Sequence, residues 1–138
     1  MGRSIARWCI RFAVAAAVFT VTATVWVQNA SGWESLGLFI GALVFGVIAA
    51  VVWCAAATIG HFYVRLDWAR LIVHPVLTVV LFVIVAVVVL AGFLGDTLDK
   101  TWREAQPFTA LVAVCALADA AVGFALERVV ALRPVRSS

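Results

Sequence analysis

One acidic side chain, Asp119, lies within an otherwise charge-free apolar run from Gln106 to Leu126. Glu127, eight residues further on, marks the edge of that run. At 1.5 Å of rise per helical residue, Asp119 is expected about 12 Å inside a hydrocarbon layer. A carboxylate at such depth costs about 2.5–3.5 kcal/mol on insertion scales. Residues of this kind face a bundle interior and find a partner. The functional readings are a proton relay, a cation site, or a contact with a basic residue of a second subunit. The structural reading is a hydrogen bond from a hydroxyl, with Thr20, Thr22, Thr24, Thr58 and Thr78 as candidate donors. Arg11 is a more distant candidate partner.

The neighbours of Asp119 fall into a pattern. Cys115, Asp119, Gly123 and Glu127 recur every four residues, so they share one helical stripe. A polar, small-residue stripe on an apolar helix predicts an interface, within the chain or with another chain. A second stripe carries no charge. Gly37 and Gly41 form a G-x-x-x-G, and Ala42, Gly46, Ala50, Cys54 and Thr58 continue at spacing four. Small residues let helix backbones approach closely in lipid, so this stripe is expected to be a helix-packing seam.

Arg3, Arg7 and Arg11 form a third stripe at spacing four. Two readings apply to it: a contact with anionic lipid, or charge that sets orientation. His61 and His74 are the only histidines. Both are expected near the ends of apolar spans, and His74-Pro75 is readable as a helix start. Two histidines could ligate a haem or metal, but no third ligand accompanies them. No cofactor and no metal is expected. The three cysteines, Cys9, Cys54 and Cys115, contain no Cys-x-x-Cys and read as small packing residues.

Other chemistry has no foothold. There is no P-loop, no His-Glu-x-x-His, no Gly-x-Ser-x-Gly and no paired carboxylates. Nothing sets a nucleophile beside a base, so no enzymatic activity is expected.

The elements that must hold these residues follow from composition. Of 138 residues, 66% are apolar and 12% charged, and mean hydropathy is +1.15. A soluble domain has about 45–50% apolar and about 25% charged residues. The polar groups here are too few to cover a surface in water. Disorder and a disulfide scaffold are excluded on the same grounds. Four runs are long enough to cross a bilayer: about 8–28, 36–60, 71–95 and 106–126. They are continuous rather than alternating, which rules out a β-barrel. The third run, nearly all Val, Leu and Ile from Val76 to Leu90, is expected to be the lipid-facing helix. The basic N-terminal arm resembles a signal peptide, but the apolar stretch continues to Val27, so an uncleaved first helix is expected. The prediction is one all-α domain over residues 1–138, an integral membrane four-helix bundle. Its linkers are about 29–35, 61–70 and 96–105, too short for a soluble domain.

Charge placement predicts orientation. Arg3, Arg7, Arg11, Arg65, Arg70, Arg128, Arg133 and Arg136 fall on one side of a four-span layout; only Lys100 and Arg103 fall on the other. The positive-inside rule then expects both termini in the cytoplasm, in a cell inner membrane. Trp8, Trp26, Trp33, Trp68 and Trp102 fall near span ends, as interfacial indoles do; only Trp53 falls inside a span. Basic residues placed this way serve insertion and anionic lipid, so nucleic acid is not expected as a partner. The lipid bilayer is, together with a membrane-protein partner or a second copy.

Arg11-Phe12 resembles the opening of the GtrA-like four-span proteins, which are associated with moving polyprenyl-linked sugars. Phe62, Arg65 and Trp68, then Phe124 and Arg128, are similar to that family's aromatic and basic clusters. The family's Asn residues and the glycine after Arg-Phe are missing here, and membership is not assigned. The resemblance implies a four-span layout and a role in translocating a lipid-linked sugar. Small multidrug exporters also have four spans, but they carry their essential carboxylate in the first, where this chain has none. The first two spans do not resemble the last two, which argues against an inverted repeat. The expectation is an accessory or structural subunit of a larger membrane complex. The alternative is a small transporter, channel or lipid-linked-sugar translocation component using Asp119.

Overall fold

The structure, a computed structural model, describes residues 2–95 and 97–132. It contains four helices: α1 (Gly2–Asn29), α2 (Trp33–Tyr63), α3 (Asp67–Leu94) and α4 (Leu98–Ala131). No strand occurs among the described residues. The shortest helices have 28 residues and the longest 34. At 1.5 Å per residue these are about 42–51 Å long, more than the roughly 30 Å of hydrocarbon they must cross. All four are long and apolar enough to span a membrane. The chain is a multi-pass membrane protein built as a four-helix bundle.

The helices outrun the predicted spans, and the linkers shrink to match. The charged stretches read as linkers are mostly helical. The first connection is residues 30–32, where Gly32 turns the chain at φ 60. Ser35 Oγ then donates to the Val27 carbonyl at 3.1 Å, tying the start of α2 to the end of α1. The second connection is residues 64–66, entered through extended Val64. α3 stops at Gly95, which adopts the left-handed conformation at φ 62 that a side chain would disfavour. Pro75 does not start a helix. It lies inside α3, which begins at Asp67, and Pro107 likewise lies inside α4. Membrane helices tolerate such prolines.

Connections this short force neighbouring helices to run antiparallel, and the cross-helix contacts confirm it. Arg11 of α1 meets Asp119 of α4, while Trp26 further along α1 meets Phe108, earlier in α4. Phe45 and Trp53 of α2 meet Phe82 and His74 of α3 in the same reversed order. Each helix packs on its sequence neighbours, and α1 closes the ring on α4. The start of α1 and the end of α4 therefore lie together at one end of the bundle.

The core is aromatic and small. Phe45 stacks on Phe108 at 4.4 Å between centroids, and Phe82 lies 6.0 Å from Phe45. Val52, Ala86, Ala105 and Val112 fill between them. The outward faces carry Val21, Val47, Val88 and Leu117, an apolar surface that suits lipid and not water.

Helix α3 is not the lipid-facing member. His74, Thr78, Phe82 and Ala86, at spacing four, are all buried and form a full inward stripe. An apolar run of Val and Leu conceals that stripe because hydropathy does not distinguish its two faces.

Candidate functional site

Asp119 lies one third of the way along α4 from its C-terminal end and is fully buried. Its partner is Arg11. Arg11 Nε donates to Oδ1 at 2.8 Å and Nη2 donates to Oδ2 at 2.9 Å. The two bonds form the parallel fork that guanidinium and carboxylate geometry favours. The distant partner in sequence is the actual one. The threonine donors are not: Thr20, Thr24, Thr58 and Thr78 each donate to the carbonyl four residues back on their own helix.

Gly123 makes the approach possible. A Cβ there would stand 3.1 Å from Arg11 Nε and 3.0 Å from Leu71 Cδ2. One turn beyond the carboxylate, α4 thus offers bare backbone where the guanidinium passes. The stripe Cys115, Asp119, Gly123 is buried against the rest of the chain, whereas Glu127 is exposed. Its interface is internal.

Sequence reasoning placed His74 at a span end and did not pair it with Asp119. The helix starts before the expected span, so this residue sits inside α3 rather than at its rim. Its Nδ1 stands 3.1 Å from Asp119 Oδ2, without the alignment of a hydrogen bond, and Nε2 has no partner. Trp8 and Trp53 contact the imidazole edge-to-face at 5.4 and 5.1 Å between centroids. The two indoles also touch each other, and Phe12 packs on Trp53. Trp53 Nε1 is a third buried nitrogen without a partner. The Arg11 guanidinium lies 4.6 Å over the Trp8 ring, within cation–π range. The available signal was the four-residue spacing from His74 through Thr78 to Phe82.

No family model matches this chain, and neither does any curated protein or solved structure. The reading therefore rests on the geometry.

The other sequence candidates separate. Gly41 faces Phe108 and Gly46 faces Phe19, each closely enough that a Cβ would come within about 3.1 Å. Ala42 packs against the core. Those positions form a seam within the chain, but Gly37 meets nothing within 4 Å and stands outside it. Ala42, Gly46 and Ala50 also line an apolar groove of about 360 Å³ between α1 and α2, floored by Thr78, Val112 and Cys115. His61 is exposed, with its ring 5.7 Å from Phe62, in a setting unlike that of buried His74. Among the described residues no group of three His, Cys, Asp or Glu is placed to hold a metal. Cys9 and Cys54 are exposed and Cys115 is buried. Arg7 lies half-buried at the bundle end; the side chain of Arg3, and Arg133 and Arg136, lie outside the described residues.

The site is a buried pair of opposite charges, walled by aromatic rings and flanked by a histidine. With both carboxylate oxygens held by one guanidinium, the pair can lock α1 to α4.

Proposed function

We propose that this chain is an accessory or structural subunit of a larger complex in the cell inner membrane, with both termini cytoplasmic. The observation that carries the reading is the bidentate Arg11–Asp119 pair. It engages both oxygens of the one carboxylate in the apolar interior with a single guanidinium. The short connections hold no soluble domain, so a role through membrane partners fits the architecture. The asymmetric placement of basic residues supports the orientation. The test is a gentle solubilisation of C-terminally tagged protein, followed by native mass measurement of what co-purifies. A stoichiometric membrane-protein partner supports the reading. A lone monomer or a homo-oligomer counts against it.

One observation favours a second reading. His74 brings a second ionisable group, with an unpartnered Nε2, against Asp119. Such a pair suits a small transporter or channel that moves a proton through Asp119. Asp119→Asn in proteoliposomes tests this: loss of proton-coupled flux with assembly intact supports it. Unchanged flux removes it.

A further inference from the structure

His74 and Asp119 stand between two hollows of the bundle. A cleft of about 360 Å³ lies at the end that carries the start of α1 and the end of α4, lined by Arg7, Arg11, Arg70 and Glu127 among others. The apolar groove between α1 and α2 lies on the other side. Along α3 the order is Leu71 at the cleft, His74, then Thr78 at the groove. Along α4 it is Gly123 at the cleft, Asp119, then Cys115 at the groove. The hollows differ in polarity. Charged side chains make the cleft a place for water, whereas no Asp, Glu, Lys, Arg or His is among the described residues that line the groove.

The partition on the cleft side is thin. Trp8 lines the cleft, and its indole also contacts the His74 ring. Trp53 holds the matching place at the groove. The two imidazole nitrogens are not equivalent. Nδ1 stands 3.1 Å from Asp119 Oδ2, and a neighbouring carboxylate favours the N–H on that nitrogen. Nε2 then keeps its lone pair, buried and without a partner. Oδ2 also accepts from Arg11 Nη2 at 2.9 Å. A proton taken from water in the cleft and added at Nε2 turns imidazole into imidazolium. It sets a second cation on an oxygen that Arg11 already holds. The ionisable groups around this site are Arg11 on α1, Asp119 on α4 and Arg70, one turn back on α3, with Arg7 and Glu127 further out in the cleft; α2 presents the Trp53 indole.

We propose that His74 Nε2 is a proton-binding site supplied from this end of the bundle alone, with the Trp8 indole as its gate. The added charge falls beside the Arg11–Asp119 fork, so occupancy acts on the contact that joins α1 to α4. The site goes beyond both readings of function above, because uptake from one side requires neither a partner nor flux.

The test uses the full chain in liposomes. Diethyl pyrocarbonate, which acylates an unprotonated imidazole nitrogen, is the probe, and mass spectrometry reads His74 against the exposed His61 of the same molecule. In the unaltered chain His74 reacts only through local opening. Trp8→Ala is expected to raise its rate about tenfold by removing that need. Trp53→Ala should leave the rate unchanged. Cys115 should stay protected from maleimide in Trp8→Ala, which separates an opened gate from an unfolded chain. A second measurement leaves both tryptophans in place. In His61→Gln protein labelled with nitrogen-15 histidine, one imidazole remains for magnetic resonance. Neutral His74 is expected to carry its proton on Nδ1, and acid should move the Nε2 resonance to the protonated position. Equal acceleration in the two tryptophan variants, a proton on Nε2 in the neutral form, or an Nε2 resonance that ignores acid overturns the proposal.

Discussion

Arg11 and Asp119 are 108 residues apart in sequence and joined by two parallel hydrogen bonds of 2.8 and 2.9 Å. The pair links the first helix to the last and so closes the ring of four. Both side chains are almost wholly buried, with the arginine 8% exposed and the aspartate 0%. Neither charge could be held there without the other.

Removing one partner should therefore cost much more than removing both. Arg11→Met or Asp119→Leu alone strands a buried charge and is expected to cost about 3–5 kcal/mol. The double variant replaces the pair with apolar groups and should recover most of that loss. Unfolding in mixed micelles, followed by circular dichroism across the four proteins, gives the comparison. Additive losses would show that the two residues act independently.

Glycines on different faces should respond differently. Gly123→Val places carbon against Leu71 and the Arg11 guanidinium and is expected to cost about 1–3 kcal/mol by overpacking. Gly37→Ala meets open space and should stabilise by about 0.5–1 kcal/mol through helix propensity. The same unfolding measurement checks both. A destabilised Gly37→Ala variant would place that glycine at an interface.

The imidazole of His74 is packed by rings on two sides. His74→Ala should open a cavity and cost about 2–4 kcal/mol, in the range of large-to-small core changes. His74→Phe keeps a ring in place and should lose less than half as much. Equal losses would assign the contribution to the contact with Asp119 rather than to packing.

The proposed orientation has its own test. In a cysteine-free background, Ser31→Cys samples the first connection and Leu66→Cys the second; both positions are exposed. A membrane-impermeant maleimide should label Ser31→Cys in intact cells and Leu66→Cys only after permeabilisation. The reverse pattern would invert the layout.

The spans were legible because two long runs carry no charge: Leu36 to Gly60, within α2, and Leu71 to Gly95, which covers most of α3 and its capping glycine. Their ends were not. Asp99 and Arg103 read as linker, yet they form an exposed ion pair of 3.0 Å one turn apart on α4. Helices continue into the headgroup region wherever the local sequence allows, and hydropathy reports only the part in hydrocarbon. Asp119 stood out in the sequence because a lone charge in an apolar run needs a partner. Choosing between Arg11 and five threonines required knowing that α1 packs beside α4, which no local pattern encodes. His74 was obscured by its neighbour. His-Pro suggested a helix start, and a histidine there would have been wet. The helix instead begins seven residues earlier, at Asp67, which carries the imidazole inside.

The link between the first and last helices also bears on how the protein is made. Arg11 emerges from the ribosome well before Asp119. At about 5–20 residues per second, the intervening 108 residues take roughly 5–20 s to synthesise. Throughout that interval α1 carries a cation with no intramolecular counterion, and it must rest with its guanidinium drawn toward the lipid headgroups. Only when α4 inserts can it settle to its final depth. A chain that stalls before α4 leaves that cation without the carboxylate it pairs with in the finished bundle.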